Sequence, residues 1–452
     1  MTGGIFQLVA KGFDDIYLTD FPQVTLFKCV YRRIAAYSIY DDEILIKSRG
    51  NFSSTTTVKL ENKADLLHKI YVVIDIPSIN FNQKTTSDTS KYAWVKNLGN
   101  KLIKNVSIKI GGQLIDSHSS ELSYFINKIY KNSNHNRGLD ILIGNTPDMY
   151  ENNTYKIGNT LYIPLQFWFN RHAGNALPLL CILYSDIELV IEMNNLSDVI
   201  TSDKNATIGK KLKIKTKLYV QYIYLDEEER YRMAQAKLEY LIESFNYSGL
   251  KIYTPQTLIS TGDAQIVSMN KDYITSDLTN IQLSPEIKYD IYLNDPTKYL
   301  IWYVKIIDTS TQQSSDISDW NKFGYMVRDS SGNLTNIQTI FSSISIQMNG
   351  TNRENPKNEY IYSYVIPHSK SLPSLDQGEY FYSFALYPTL LQPSGTANFS
   401  ELSNASITMI LSKTVANLIK DNPNIEIRVE LWGCAYKILR VFSGFAALAF
   451  YR

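Results

Sequence analysis

The sequence predicts an all-β protein: two β-sandwich units in tandem, joined by a short helix. Three observations carry this expectation. Short β-branched and aromatic runs recur through both halves of the 452 residues. Three strand patterns from the first half return in the same order in the second. A stretch of helix formers, residues 225–243, lies between the halves.

Composition bounds the class. Hydrophobic residues make up 44% and charged residues 20%, an ordinary globular balance, and the length suffices for two units that each bury a core. A net charge of +1 argues against a chain that coats nucleic acid, and it lets copies crowd together with little repulsion. The 33 tyrosines suit strands and surfaces half buried at contacts. Cys29, Cys181 and Cys434 are far apart, odd in number and without CxxC spacing. That points to a reducing compartment and away from a disulfide framework or zinc site. Met1–Ala10 has no charged start and only a short apolar run, so no signal peptide is expected. No stretch approaches the ~20 apolar residues of a membrane span.

In chain order, residues 1–22 form an arm, with flexible Gly3-Gly4 and sticky Ile5, Phe6, Leu8 and Val9. Strands follow at Thr55–Leu60 and Ile70–Ile76. Asn105–Ile110 alternates, with Val106, Ile108 and Ile110 on one face, and Gly111-Gly112 then turns the chain. Ser120–Tyr130 places Leu122, Phe125, Ile126 and Ile129 at helical spacing. Residues 131–159, rich in Asn, Gly and Pro, read as a long exposed loop. Leu161–Met193 reads as a core hairpin: a strand at Ile163–Phe169, a reversal at Asn170–Pro178, and a second strand ending in Ile187–Met193. Lys211–Tyr222 alternates inward Leu212, Ile214, Leu218 and Val220 with outward lysines, as a guarded edge strand would. Leu225–Glu243 reads as the linking helix, with Asp226 and Glu229 as a capping-box-like start. From about Phe245 strands resume, at Ile287–Leu293 and Tyr299–Ile307, and residues 308–336 form another polar loop.

The duplication can be followed strand by strand. Ile344, Ile346 and Met348 take the inward places of Val106, Ile108 and Ile110, and Gly350 falls where Gly112 did. Gln377–Leu386 then stands where the Ile163 strand stood, and Ser406–Leu411 where Ile187–Glu192 stood. Two all-β units of about 200 residues with long loops fit sandwiches, of which jelly rolls are among the large ones.

Several phrases resemble one family. IPLQFWFNRHAGNALPL at Ile163–Leu179 is similar to a stretch of the major capsid proteins of nucleocytoplasmic large DNA viruses. So are the opening MTGGIFQLVAKGFDDIYLTDFPQVTLFKCVYRR, the LDEEER…LEYLIE segment, Met348–Arg353, Tyr382–Ser400 with its QPSGTANFS, and Ile438–Phe450. In Tyr382–Ser400, the turn at Gln392–Gly395 is expected to deliver Phe399 onto the core. The sequence departs from the family at Trp432–Lys437, at residues 353–374 and in the surface loops. The resemblance implies a double jelly roll: arm 1–22, first roll 23–225, helical linker 226–243 and second roll 244–452. It also implies three copies forming a pseudo-hexagonal capsomer that tiles an icosahedral shell. The protein would reside in the virion and be made and assembled in the host cytoplasm.

Chemistry has little support in the residues. His68, His118, His135, His172 and His368 form no HxH or HExxH pattern, and no GxSxG or Walker-type loop is present. His172 is expected to make a structural hydrogen bond. Carboxylate pairs such as Asp41-Asp42-Glu43 and Glu188/Glu192 recur by chance in any β-rich chain. Of several sequons, Asn333 lies in the most exposed loop. No catalytic, cofactor or metal residue is assigned, and no enzyme is expected. Loops 77–103, 131–159 and 308–336 are the expected outward face and subunit contacts. The arm is the expected contact for minor capsid proteins or the inner membrane, with no direct nucleic-acid binding. The alternative is a carbohydrate-binding or carbohydrate-active β-sandwich, with an aromatic-lined groove and a carboxylate pair.

Overall fold

The computed structural model describes residues 9, 20–23, 33–46, 51–80, 91–130, 136–202, 212–255, 286–309, 320–324, 326–328, 334–336, 339–421 and 424–449. Most of the expected arm, Cys29, His135, Asn333 and the middle of the 308–336 loop lie outside the described residues. The chain divides into two compact units, residues 1–37 and 38–452. The rest of the description concerns the second unit.

Among the described residues, its first half builds two main sheets from nine strands: β1 (Tyr37–Leu45), β2 (Thr55–Leu60), β3 (Leu66–Ile76), β4 (Ile103–Ile110), β5 (Gln113–Ser119), β6 (Asn159–Pro164), β7 (Leu177–Pro178), β8 (Ile187–Met193) and β9 (Lys215–Leu225), beside two short two-stranded ribbons. Helix α1 (Ser120–Ile129) follows β5 and α2 (Glu227–Gln235) follows β9. One sheet has the order β1-β9-β3-β7 with β6 also on β3; the other has β2-β8-β4-β5. If β6 and β7 count as one broken strand, the orders are 1-8-3-6 and 2-7-4-5. That is a jelly roll.

The second half repeats the plan. Its strands are β10 (Leu238–Tyr253), β11 (Glu286–Asp290), β12 (Pro296–Asp308), β13 (Phe341–Met348), β14 (Thr351–Lys357), β15 (Glu379–Ser383), β16 (Ala397–Asn398), β17 (Ala405–Leu411), β18 (Ile425–Phe442) and β19 (Phe445–Leu448). The sheets are β10-β18-β12-β15, with β16 on β12 and β19 on β18, and β11-β17-β13-β14. All three expected repeats therefore fall on equivalent strands. The match extends to register. Tyr71 pairs with Tyr219 as Ile301 pairs with Trp432, and a register shift follows at the same place in each (Gln221/Tyr222 and Thr297/Tyr299). Both β4–β5 and β13–β14 turn in two residues with positive φ, Gly111-Gly112 and Asn349-Gly350, the twist that a tight hairpin needs.

Each roll has its own core. In the first, Val106, Ile108 and Leu189 meet Val72, Ile74 and Leu218; in the second, Ile344, Ile346 and Met409 meet Leu300, Trp302 and Val304. Phe399 is buried there, as the turn before it was expected to ensure.

Six local expectations are corrected. Leu161–Met193 is not a hairpin: β6 pairs with β3 and β8 with β2 and β4, so the chain crosses between sheets. Trp168–Arg171 is a helical turn rather than strand. The lysine-rich β9 is no edge, because β1 flanks it and Lys217 pairs with Glu43 at 3.1 Å. Helix α2 stops at Gln235, and Leu238–Glu243 is already β10, since pairing with β18 overrides helix propensity. Asp226 sits at the helix start but its side chain makes no capping hydrogen bond; Arg230 instead ties the helix to Asp65 at 3.0 Å. Finally, the 131–159 loop carries short helices at Asn136–Leu142 and Pro147–Tyr150 and buries Ile143 and Met149.

Candidate functional site

The candidate site is the seam between the two rolls, and it begins with a strand that buries both faces. In β12, Leu300, Trp302 and Val304 point into the second core, while Tyr299, Ile301 and Tyr303 point the other way. That is why the run YLIWYVKII is apolar without alternation. Phe381, Trp432 and Cys434 continue this outer face. Helix α1 of the first roll lies against it. Ser119 accepts a hydrogen bond from the Leu122 N–H and starts the helix, whose 3.6-residue period then sets Leu122, Phe125, Ile126 and Ile129 on the covered side. Phe125 stacks on Phe323 at 5.1 Å, and Tyr303 meets Phe323 at 4.3 Å.

A buried ionic knot crosses the same seam. Arg171 donates from the helical turn of the first roll to Glu243 of β10 at 2.8 Å, and Lys298 of β12 donates to the other Glu243 oxygen at 2.5 Å. Arg171 also donates to Tyr130 Oη at 3.0 Å, and Tyr130 meets Tyr299 at 3.2 Å. Burial works against the guanidinium, but Tyr130 and Glu243 beside it outweigh burial and hold its pKa up. Burial, then Glu243, pushes the neighbouring Cys434 thiol up to about 12, so it stays protonated. A second link runs from Lys128 at the end of α1 to Glu379 at 2.6 Å and Asp376 at 2.7 Å. Burial pushes the Glu379 carboxyl up to about 7, with Lys128 opposing. Burial disfavours the Lys128 ammonium too, but the carboxylates win and its pKa is raised.

Described parts of the loops expected as outward face pack onto this body. Trp320 Nε1 donates to the Lys96 carbonyl at 2.7 Å, which ties the 308–336 loop to residues 92–102, where Trp94, Val95 and Leu98 are buried. His172 makes the expected structural hydrogen bond, accepting from the Gly174 N–H at 3.0 Å. Asp41, Asp42 and Glu43 pair with Gln221, Lys63 and Lys217. Sequence reasoning missed Glu243, Lys298 and Lys128; a charged residue inside an apolar run, as in TKYLIWYV, was the available signal.

A cleft of roughly 910 Å³ opens beside the seam, lined among others by Glu192, Tyr247, Tyr292, Trp432, Asp116 and Glu430. Two of its carboxylates have structural work: Asp116 accepts from the Phe245 N–H at 3.1 Å and Glu430 from Tyr303 at 2.7 Å. Among the described residues no cluster of three His, Cys, Asp or Glu could hold a metal ion, and no helix is long and apolar enough to cross a membrane.

Comparison with known proteins meets this geometry. Residues 25–226 match the family model "Major capsid protein N-terminus" and residues 229–447 match "Large eukaryotic DNA virus major capsid protein". A major capsid protein of Pyramimonas orientalis virus is 30% identical over the whole of both chains. The chain belongs to this capsid protein family. The major capsid protein of Paramecium bursaria Chlorella virus 1 is 26% identical, again over the whole of both chains. Among solved structures, the PBCV-1 virus capsid chain superposes with TM-score 0.73 at 22% identity (95% of this chain, 100% of that one). The Faustovirus major capsid protein superposes with TM-score 0.71 at 12% identity (96% and 94%). Fold and family therefore agree: this is a double jelly-roll capsid component of the virion, and its relatives are shell proteins.

Two predictions follow from the seam. Glu243→Gln leaves Arg171 and Lys298 buried with no counter-charge, so it is expected to cost about 3–5 kcal/mol, read from the urea midpoint; an unchanged midpoint would show that the knot is solvated. Glu379 has a folded pKa of about 7 against an ordinary 4.5. Its raised pKa favours folding below about pH 4.5, and that contribution is lost as the pH rises through about 7. The stability of the native chain relative to Glu379→Gln should therefore fall over that window, by up to roughly 3 kcal/mol. A difference that grows with pH would contradict it.

Proposed function

We propose that three copies of this chain form a pseudo-hexagonal capsomer that tiles an icosahedral shell. The observation that carries the reading is the repetition of one jelly roll twice, down to the same register shift, with a seam that locks the two at a set angle. Three such chains present six near-equivalent blocks, which is what a hexagonal tile needs. Rigid blocks lose little entropy on assembly, and many modest contacts then add through avidity.

In this reading residues 1–22 act as the arm, 23–225 and 244–452 as the blocks and 226–243 as the connection. The arm's apolar Ile5, Phe6, Leu8 and Val9 suit docking to minor capsid proteins or the inner membrane. Direct nucleic-acid binding is not part of it: the net charge is +1, and Lys217 is neutralised by Glu43. Nor is catalysis, since Asp116 and Glu430 in the cleft are engaged in the fold. Assembly would take place in the host cytoplasm.

The purified chain is expected to sediment at about three times 51.7 kDa. A chain lacking residues 2–20 should lose particle assembly. A monomer that binds or cleaves glycans would overturn the shell reading in favour of the carbohydrate alternative.

A further inference from the structure

The ionic knot holds more positive charge than negative. Arg171 and Lys298 both bind one carboxylate, Glu243, and the three side chains are 9%, 0% and 4% exposed. The groups packed beside them do not restore the balance. Tyr130 and Tyr299 are phenols and Cys434 is a thiol, and burial raises the pKa of all three, so each stays neutral. One surplus positive charge is thus left where water screens poorly. Such a charge is costly unless something answers it.

Hydrogen bonding shows which side of the knot is incomplete. Lys298 donates to Glu243 and to the Leu390 carbonyl, and its ammonium lies 5.5 Å over the Tyr436 ring. Arg171 spends Nη1 and Nη2 on Tyr130, on Glu243 Oε2 and on the Glu243 carbonyl. Its Nε–H has no hydrogen-bond partner. Asn170 precedes it on the same helical turn and is 9% exposed, yet neither its amide oxygen nor its amide nitrogen is engaged. Ser244 Oγ, one residue after Glu243, is unpartnered too, as is Tyr436 Oη, on the residue paired with Glu243 across β10 and β18. Among the described residues, ten buried side-chain polar atoms have no partner, and five of them fall here. Buried donors are normally satisfied, so this concentration calls for an occupant.

We propose that the knot binds one small monovalent inorganic anion of the halide class, seated against Arg171 Nε–H and the Asn170 amide N–H. The surplus of one charge sets the valence, and the burial of Arg171 and Asn170 sets the size. Water alone would satisfy the hydrogen bonds but leave the charge unanswered. Asn170 Oδ1 and the hydroxyls of Ser244 and Tyr436 suit waters around the anion. The anion becomes part of the lock between the rolls, so the fold gains stability from it by mass action.

The test follows the urea midpoint of the full chain as chloride replaces gluconate at constant sodium. The native midpoint should climb with chloride, and each tenfold rise above the dissociation constant should raise the folded-to-unfolded ratio about tenfold. Lys298→Met removes the surplus charge and touches neither donor, so its midpoint should ignore chloride. Asn170→Leu removes a donor and should need more chloride for the same rise. A general salt effect would persist unchanged in both variants. A native midpoint indifferent to chloride overturns the site, and so does an equal response in the native chain and either variant. Should a variant fail to fold, crystals of the native chain grown in sodium bromide decide. An anomalous peak beside Arg171 Nε is expected there, and water alone at that place overturns the proposal.

Discussion

The outer face of the β10-β18-β12-β15 sheet has to be kept from water, and much else in the molecule answers to that need. Tyr299, Ile301, Phe381 and Cys434 are fully buried on it. Left bare, they would form the kind of apolar patch that drives association. Helix α1 covers them, which explains both its apolar stripe and its place directly after β5. Trp320 and Phe323 pack in from the 308–336 loop, which anchors residues 320–323 despite their polar surroundings. The ionic knot adds direction rather than much net stability. Desolvating Arg171, Glu243 and Lys298 offsets most of their attraction, but only one relative placement of the rolls satisfies all three.

The two rolls share a plan and differ in what covers them. At matched register, Tyr299, Ile301 and Trp432 are apolar and dry, whereas Lys69, Tyr71 and Tyr219 are mixed and half exposed. A surface that meets its partner within one chain at all times can be hydrophobic. One without such a cover has to tolerate water. Lys and Tyr in place of the buried aromatic set meet that need.

Fold class, the duplication and the hairpin turns were legible because they rest on local signals: alternation, β-branched runs, and Gly111-Gly112 or Asn349-Gly350. The seam was not. The Leu161–Met193 hairpin failed because periodicity cannot say which sheet a strand joins, and both strands are apolar. The linker helix was read too long because LEYLIE suits a helix as well as a strand, and only pairing with Lys437–Val441 decides. Within loops expected to be exposed, residues 92–102 and 320–323 turn inward, because Trp94, Trp320 and Phe323 outweigh a polar neighbourhood. Trp432–Lys437, where the sequence departs from its family, carries Trp432 and Cys434 onto the seam, so a departure in wording left the physical role intact.

The second roll also completes the first. Beyond the seam, β10, β18 and β19 continue across the first roll, and Ile242, Leu439, Val441, Ala446 and Leu448 join its core. The Leu448 N–H donates to Gln113 and the Ala446 N–H to Ser185. The first roll, synthesised earlier, therefore lacks part of its apolar cover until residues near 440 are in place. Such long-range closure slows folding, because distant segments must meet before either is rewarded. In return it denies the two rolls an independent life: opening the joint between them would expose both the outer sheet of the second and the core of the first. A hinge there would be costly, so the two rolls behave as one rigid block.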